Sequence, residues 1–190
     1  MHPVTLILEI VAFVWIASEI VLAIVTRARN RRATVQDAGS LACLWGAIAA
    51  GIWAAIAARN IRAAEIHMPV PWLHGIALVI MAVGLAIRWT SIVTLGRFFT
   101  ASVTVSENHE LVRTGLYGRL RHPSYTGLLV TFIGVALSYG NWLSLAAVLL
   151  PVTAALMYRI RVEESALVGA LGETYVAYSK TTRRLIPGIY

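Results

Sequence analysis

The residues best suited to chemistry lie where two polar segments meet apolar runs. The segment HELVRTGLYGRLRHPSY leads into one apolar run, and YRIRVEE closes another. Ionisable side chains beside a membrane are costly and often functional. The candidates are His109, Arg113, Tyr117, Arg119, Arg121, His122 and Tyr125 in the first segment, and Arg159, Arg161, Glu163 and Glu164 in the second.

Pro123 predicts the start of a helix, since proline fits the first turn, where its missing N–H costs nothing. His122 then occupies the N-cap position, next to free backbone N–H groups that favour an anionic ligand. We therefore expect this junction to bind a carboxylate or a similarly polar group.

Glu163 and Glu164 are predicted to point in different directions, because neighbours on a helix are separated by about 100°. One should face the junction, where a carboxylate suits a ribose diol or an ammonium group, and the other an arginine or solvent. Arg159 lies one turn before Glu163, on the same face. Charged helix ends without a catalytic role are also common at membrane surfaces, and spacing alone leaves that alternative open.

Several other chemistries lack the residues they need. Cys43 is the only cysteine and lies in an apolar run, which excludes a disulfide framework and a thiolate metal site. The five histidines show no paired helical spacing, so we predict no bound metal. Asp37 is the only aspartate, which argues against a Ser-His-Asp arrangement, and no GxGxxG motif marks a Rossmann cofactor site.

The composition predicts an integral membrane protein. Of 190 residues, 58% are hydrophobic and 13% charged, against about 45–50% apolar in a soluble domain. We predict a single all-α domain over 1–190, with three transmembrane helices in 1–95, including a retained N-terminal span, and two more in a catalytic half over 96–190. The five apolar stretches are Val4 to Thr26, Ala38 to Ala58, Pro71 to Leu95, Ser124 to Tyr139 and Trp142 to Tyr158.

Two further elements follow from local patterns. Gly140 and Asn141 separate the fourth and fifth stretches, and this turn sequence predicts a tight antiparallel helical hairpin. In EESALVGALGETYVAYS the apolar residues have the spacing of one helical face, which predicts a C-terminal amphipathic helix against the bundle or the interface. Its apolar face comprises Leu167, Leu171, Tyr175 and Tyr178.

The arginine and lysine distribution predicts the orientation. The net charge of +7 is concentrated at the ends of apolar runs, which indicates membrane topology, not nucleic-acid binding. The RARNRR segment, the segment from Arg97 to Arg121 and the tail after Tyr158 are basic, whereas the loop after the second stretch carries only Arg59 and Arg62. We therefore predict a multi-pass protein of the cytoplasmic (inner) membrane, with its N-terminus outside and its C-terminus in the cytoplasm.

Charged residues inside the predicted spans need partners or a function. Glu9 and Glu19 lie about 80° apart around the first helix, and Glu19 is expected either to pair with a neighbouring helix or the interface or to line a cavity. Arg88 is expected either to snorkel toward the headgroups or to face the site. We assign no function to His67 and His74, which flank the predicted outer loop.

The motifs together resemble a known family. HELVRTGLYGRLRHPSYTG, the GN turn, RIRVEE, LGETYVAY and the closing RRLIP are similar to the isoprenylcysteine carboxyl methyltransferases and their relatives among the membrane phospholipid methyltransferases. The resemblance covers roughly Leu95 to Pro187, half of the chain. It implies S-adenosylmethionine-dependent methyl transfer at the cytoplasmic membrane surface, in a helical membrane fold unrelated to soluble methyltransferases.

The resemblance also implies site residues. A further contact with the methyl donor corresponds to a position between Ser102 and Ser106, and the substrate-side arginine corresponds to Arg159. The other implied donor-binding residues are His109, Glu110, Leu111, Val112, Tyr117, His122, Pro123, Ser124, Tyr125 and Glu163.

The implied acceptor is a lipophilic small molecule or a lipidated substrate, for which carboxyl O-methylation of an isoprenylcysteine-like group is the leading hypothesis. Small prenylated thiols, lipid phenols and phospholipid amines stay open as acceptors. The alternative functions are a phospholipid amine N-methyltransferase and a membrane reductase or structural membrane protein of similar fold.

Overall fold

Six α-helices make up the described part of the chain. The computed structural model describes residues 3–29, 39–96, 99, 111–186 and 188, and this part of the chain contains no strand. The helices are α1 (Pro3–Arg29), α2 (Ser40–Ala58), α3 (Val70–Leu95), α4 (Pro123–Leu137), α5 (Trp142–Leu171) and α6 (Glu173–Thr181). The all-α prediction is confirmed, and α1 to α5 fall on the five predicted stretches.

Four of these helices, α1, α2, α3 and α5, are long and apolar enough to cross a membrane. The protein is therefore an integral, multi-pass membrane protein. The fourth predicted stretch forms a helix of 15 residues, shorter than the roughly 20 residues that a perpendicular span needs. A count of five spans stays a prediction, which requires α4 to cross where the bilayer is thin or where its ends lie within the protein.

The bundle is built from two closely packed helix pairs, α3 with α4 and α2 with α5, which α4 joins by also packing on α5. Glycine permits the first of these contacts: a Cβ at Gly127 would lie 2.5 Å from the backbone nitrogen of Arg88. Small residues let membrane helices approach closely, since the hydrophobic effect does not drive their association in lipid. The core between the pairs contains Leu128, Phe132, Ala136, Val148, Val152 and Leu156.

The predicted hairpin between α4 and α5 is confirmed. Gly140 adopts a positive φ of 67°, and the Asn141 side chain caps α5 by accepting hydrogen bonds from the backbone nitrogens of Leu143 and Ser144. The Asn141 amide also donates to the Ile61 carbonyl at 2.9 Å, which ties the α2–α3 loop to the turn. This region, the hairpin end, lies opposite the junction end at which α4 begins.

The segment predicted to form one C-terminal amphipathic helix is divided between two helices. Residues 163–171 continue α5 without interruption, so α5 extends 13 residues beyond the predicted Tyr158. Gly172, with φ 53°, ends α5, and α6 follows as a separate helix. The apolar face is nevertheless directed inward, because Tyr175 and Tyr178 on α6 are buried. The charged residues that look like the end of a span lie in the middle of one long helix.

Candidate active site

A cavity of about 570 Å³ penetrates the bundle from the junction end. Its walls are mainly apolar side chains of α1, α2 and α4, among them Trp15, Leu44, Ile48 and Phe132. Its polar lining residues come mainly from both candidate segments and from the first and third helices; they include Glu19, Arg88, Arg121, His122, Ser124, Tyr125, Arg159 and Glu163. The fold thus brings the polar candidates together at one end of an apolar chamber.

The start of α4 is fixed by the chain that follows α6. The backbone nitrogens of Arg121 and His122 donate to the carbonyls of Arg183 and Arg184 at 2.7 and 3.1 Å. The Thr126 hydroxyl donates to the Leu185 carbonyl at 2.7 Å. His122 is the N-cap and Pro123 opens the helix, as predicted, but the imidazole makes no capping hydrogen bond. It is turned instead toward α5.

The two glutamates of α5 diverge as predicted, with the His122 ring between them. Glu163 lines the cavity and accepts a hydrogen bond from the Tyr125 hydroxyl at 2.6 Å. Glu164 faces away from the cavity and accepts from Arg184 Nε and Nη2 at 2.9 and 2.8 Å. Nδ1 of His122 lies 3.9 Å from Glu163, and Nε2 lies 3.3 Å from Glu164. Glu163 is therefore the carboxylate of the pair that lines the cavity.

Arg159 is buried one turn before Glu163 and joins the same hydrogen-bonded chain. Its Nε donates to the Tyr125 hydroxyl at 2.9 Å, and its Nη1 donates to the Ser40 hydroxyl at 3.0 Å. The Tyr125 hydroxyl thus accepts from the guanidinium and donates to Glu163. The chain Ser40, Arg159, Tyr125, Glu163 links α2, α4 and α5 across the polar end of the cavity.

Three tyrosines outside the spans complete this end. Burial raises the pKa of Tyr117 and of Tyr175, with nearby glutamates adding to the effect, and burial raises the pKa of Tyr178 to about 12. All three are neutral phenols near pH 7. The Tyr178 hydroxyl donates to the Tyr117 carbonyl at 2.7 Å. The Tyr175 hydroxyl is buried and makes no hydrogen bond within the described part of the chain.

Glu19 and Arg88 form a bidentate ion pair between α1 and α3 beside the same end of the cavity. Arg88 is buried, so the alternative in which it snorkels to the headgroups is wrong. Interhelical pairing and cavity lining, the two alternatives considered for Glu19, both hold. Glu9 is exposed on the same helix. At the hairpin end, His74 bridges the Thr5 hydroxyl and the Ser138 carbonyl, a structural position.

Comparison with known proteins identifies the family of the segment that forms most of this site. The model of the isoprenylcysteine carboxyl methyltransferase (ICMT) family matches residues 76–169. Protein-S-isoprenylcysteine O-methyltransferase B of Arabidopsis thaliana is 33% identical over 118 residues, 61% of this chain. The Tribolium castaneum protein-S-isoprenylcysteine O-methyltransferase is 35% identical over 127 residues, 66% of this chain. The matched part of the chain, residues 76–169, belongs to the isoprenylcysteine carboxyl methyltransferase family.

A solved ICMT structure agrees with the fold. The eukaryotic intramembrane Ras methyltransferase ICMT superposes with a TM-score of 0.58 at 28% identity, over 76% of this chain and 52% of that one. The matched segments span 60% of the Arabidopsis relative and 44% of the Tribolium relative. The chain therefore corresponds to only part of the length of these ICMT relatives, and the family match leaves α1 and α2 outside it.

The residues that the ICMT resemblance implies for methyl-donor binding are largely brought together. Leu111, Val112, Tyr117, His122, Ser124, Tyr125 and Glu163 all line the cavity, as does Arg159, for which the resemblance implies a place beside the acceptor. Pro123 is buried beside them at the first turn of α4. His109, Glu110 and the 102–106 segment lie outside the described residues.

Sequence reasoning missed Ser40 and Arg184 as partners of the site. Neither carries a local signal, since Ser40 meets Arg159 only through the packing of α2 on α5, and Arg184 reaches Glu164 from the tail. Of the other candidates, Arg113 lies over the Tyr178 ring at 5.8 Å, while Arg119 and Arg161 are exposed. Within the described ranges, no cluster of histidine, cysteine and acidic side chains has the arrangement of a metal site.

Proposed function

We propose that the protein catalyses S-adenosylmethionine-dependent methyl transfer to a lipophilic acceptor, by carboxyl O-methylation of an isoprenylcysteine-like substrate. One observation carries this proposal: the apolar chamber opens directly onto a polar end. At that end, Arg159 and Glu163 belong to one chain of hydrogen bonds. A lipophilic acceptor whose hydrocarbon tail lies in the chamber would have its polar head group beside Arg159 and Glu163.

The donor and acceptor groups at the junction fit this methyl donor. Glu163 offers a carboxylate oxygen suited to a ribose diol or an ammonium group, and the buried Tyr175 hydroxyl can receive a polar partner that the described chain does not supply. When bound, S-adenosylmethionine supplies an electrophilic methyl group. The residues proposed to hold it are His109, Glu110, Leu111, Val112, Tyr117, His122, Pro123, Ser124, Tyr125 and Glu163.

Arg159 is proposed to orient the acceptor. A guanidinium can hold a carboxylate through two parallel hydrogen bonds, which fixes both position and direction. Ser40 and Tyr125 hold Arg159 in place, and Trp15, Leu44 and Phe132 provide the apolar wall that a prenyl chain requires. The acceptor head and the donor site are then adjacent, because Arg159 and Glu163 share one face of α5.

The proposed reaction needs alignment more than acid–base assistance. Transfer from a sulfonium to a carboxylate is an in-line displacement that neutralises charge, so a water-poor pocket and correct orientation lower the barrier. A carboxylate acceptor is already ionised at pH 7, so no general base has to deprotonate it. An amine acceptor would need such a base.

We also propose that the junction end faces the cytoplasm, which rests on the arginine distribution. The test uses Thr181→Cys at the junction end and His67→Cys at the hairpin end, each in a Cys43→Ala background. A membrane-impermeant thiol reagent applied from outside should label only His67→Cys. Labelling of Thr181→Cys from outside would reverse the orientation.

Calorimetry with S-adenosylhomocysteine in detergent tests the donor site directly. We expect saturable binding at one site per chain. The absence of binding would contradict both the carboxyl and the amine methyltransferase hypotheses. Lipid analysis of membranes with and without the protein would then distinguish a methylated carboxylate from a methylated phospholipid amine.

A further inference from the structure

The first helix lies outside the segment that matches the family, yet it contributes a charged residue to the polar end of the cavity. Both carboxylate oxygens of Glu19 accept hydrogen bonds from Arg88, one from Nε and one from Nη2. The two side chains are only 14% and 8% exposed. A bidentate ion pair of this kind fixes the plane of the guanidinium as well as its position.

Glu19 is itself held by its own helix. The Trp15 indole donates to Glu19 Oε1 at 3.1 Å, and the Trp15 ring packs edge-on against Phe132 of α4 at 5.2 Å. The Glu19 carboxylate is therefore held by α1 as well as by Arg88. A carboxylate held in this way lowers the entropic cost of keeping the arginine in one conformation.

The third guanidinium nitrogen of Arg88, Nη1, contacts the proposed binding site of the methyl donor. With Nε and Nη2 engaged by Glu19, Nη1 donates to the Ser124 hydroxyl at 2.9 Å. Ser124 lies in the first turn of α4, between His122 and the Tyr125 that bonds Glu163. A continuous series of contacts thus runs from α1 through α3 to the segment proposed to bind the methyl donor.

We propose that Glu19 is a positioning residue: acting through Arg88 on Ser124, it holds the start of α4 in the conformation that binds the methyl donor, which makes α1 part of the site. This inference rests on the proposed function. Without the carboxylate, a buried guanidinium must find another acceptor, and its direction toward Ser124 is no longer fixed.

The test measures S-adenosylhomocysteine affinity by calorimetry in detergent. Glu19→Gln should weaken it by about threefold to thirtyfold, the range for residues that act on a site without touching the ligand. The loss should shrink to less than about twofold in a Ser124→Ala background, where the connection is already cut, since residues in one network are not additive. Glu9→Gln, an exposed glutamate on the same helix, is the matched control and should change nothing.

A purely structural ion pair gives a different result. Glu19→Gln would then lower the melting temperature and leave the affinity for S-adenosylhomocysteine unchanged, or it would weaken that affinity equally in the unmodified protein and in the Ser124→Ala background. Either outcome overturns the inference. If Glu19→Gln does not fold, Trp15→Phe removes the indole donor together with the five-membered part of the ring, and it should give a smaller loss that Ser124→Ala again abolishes; no loss would overturn the inference too. Failure of the unmodified protein to bind would instead refute the proposed function itself.

Discussion

Replacing Glu163 with glutamine should weaken S-adenosylhomocysteine binding while leaving the fold intact. The amide oxygen of glutamine can still accept the hydrogen bond from Tyr125, so the local structure should survive. What is lost is the negative charge presented to the ligand. Charge-assisted hydrogen bonds contribute about 1.5–3 kcal/mol. The Glu163 side chain is 30% exposed, so water competes for its hydrogen bonds. We therefore expect a loss at the lower end of this range, which corresponds to about tenfold weaker binding.

The adjacent glutamate provides a matched control. Glu164 makes its contacts with Arg184, Arg121 and His122, and it does not line the cavity. Glu164→Gln should therefore reduce the free energy of unfolding by about 2 kcal/mol, or roughly 4–8 °C in melting temperature. Its effect on affinity should be smaller than that of Glu163→Gln.

Calorimetry and a thermal melt in the same detergent separate the two effects. The expected pattern is a loss of affinity without a loss of stability for Glu163→Gln, and the reverse for Glu164→Gln. Equal effects of the two variants on affinity, or unchanged affinity for Glu163→Gln, would refute the assignment of Glu163 to the ligand.

Three further predictions concern the acceptor and the bundle. Arg159→Lys should reduce turnover more than donor affinity, because lysine keeps the charge but loses the planar fork; normal turnover in a methyl-transfer assay would contradict this. Methyl transfer by the unmodified protein should keep its rate down to about pH 5, where a carboxylate acceptor begins to protonate, whereas a rate that vanishes below neutral pH would favour an amine acceptor. Gly127→Ala should destabilise the α3–α4 contact by about 1–3 kcal/mol, because its Cβ would meet the Arg88 and Gly84 backbones. Gly46→Ala, with open space around it, is the control in a thermal melt, and equal melting temperatures would refute the packing argument.

The helices were predictable because each apolar run is bounded by charge or by turn residues. Gly140 and Asn141 likewise define the hairpin through local chemistry alone. The end of α5 was not predictable in this way. Arginine and glutamate look like the boundary of a span, but they are good helix formers, and only the positive φ at Gly172 ends the helix.

The pairings within the site depend on contacts that sequence spacing does not encode. The divergence of Glu163 and Glu164 follows from the helical repeat, so it could be predicted. The choice between snorkelling and burial of Arg88 depends on where α1 places Glu19, 69 positions away in the chain. Ser40 and Arg159 are 119 positions apart. Such partners become visible only once the helices are packed.

The most direct test of the account is transfer of an isotopically labelled methyl group from S-adenosylmethionine to an S-prenylated cysteine with a blocked amine, in proteoliposomes containing the purified protein. We expect label in the prenylated product, released by mild alkali as expected for a methyl ester, and transfer strongly reduced in Arg159→Lys. It would be contradicted by the absence of transfer in a preparation that binds S-adenosylhomocysteine, or by alkali-stable label found only on phospholipid amines.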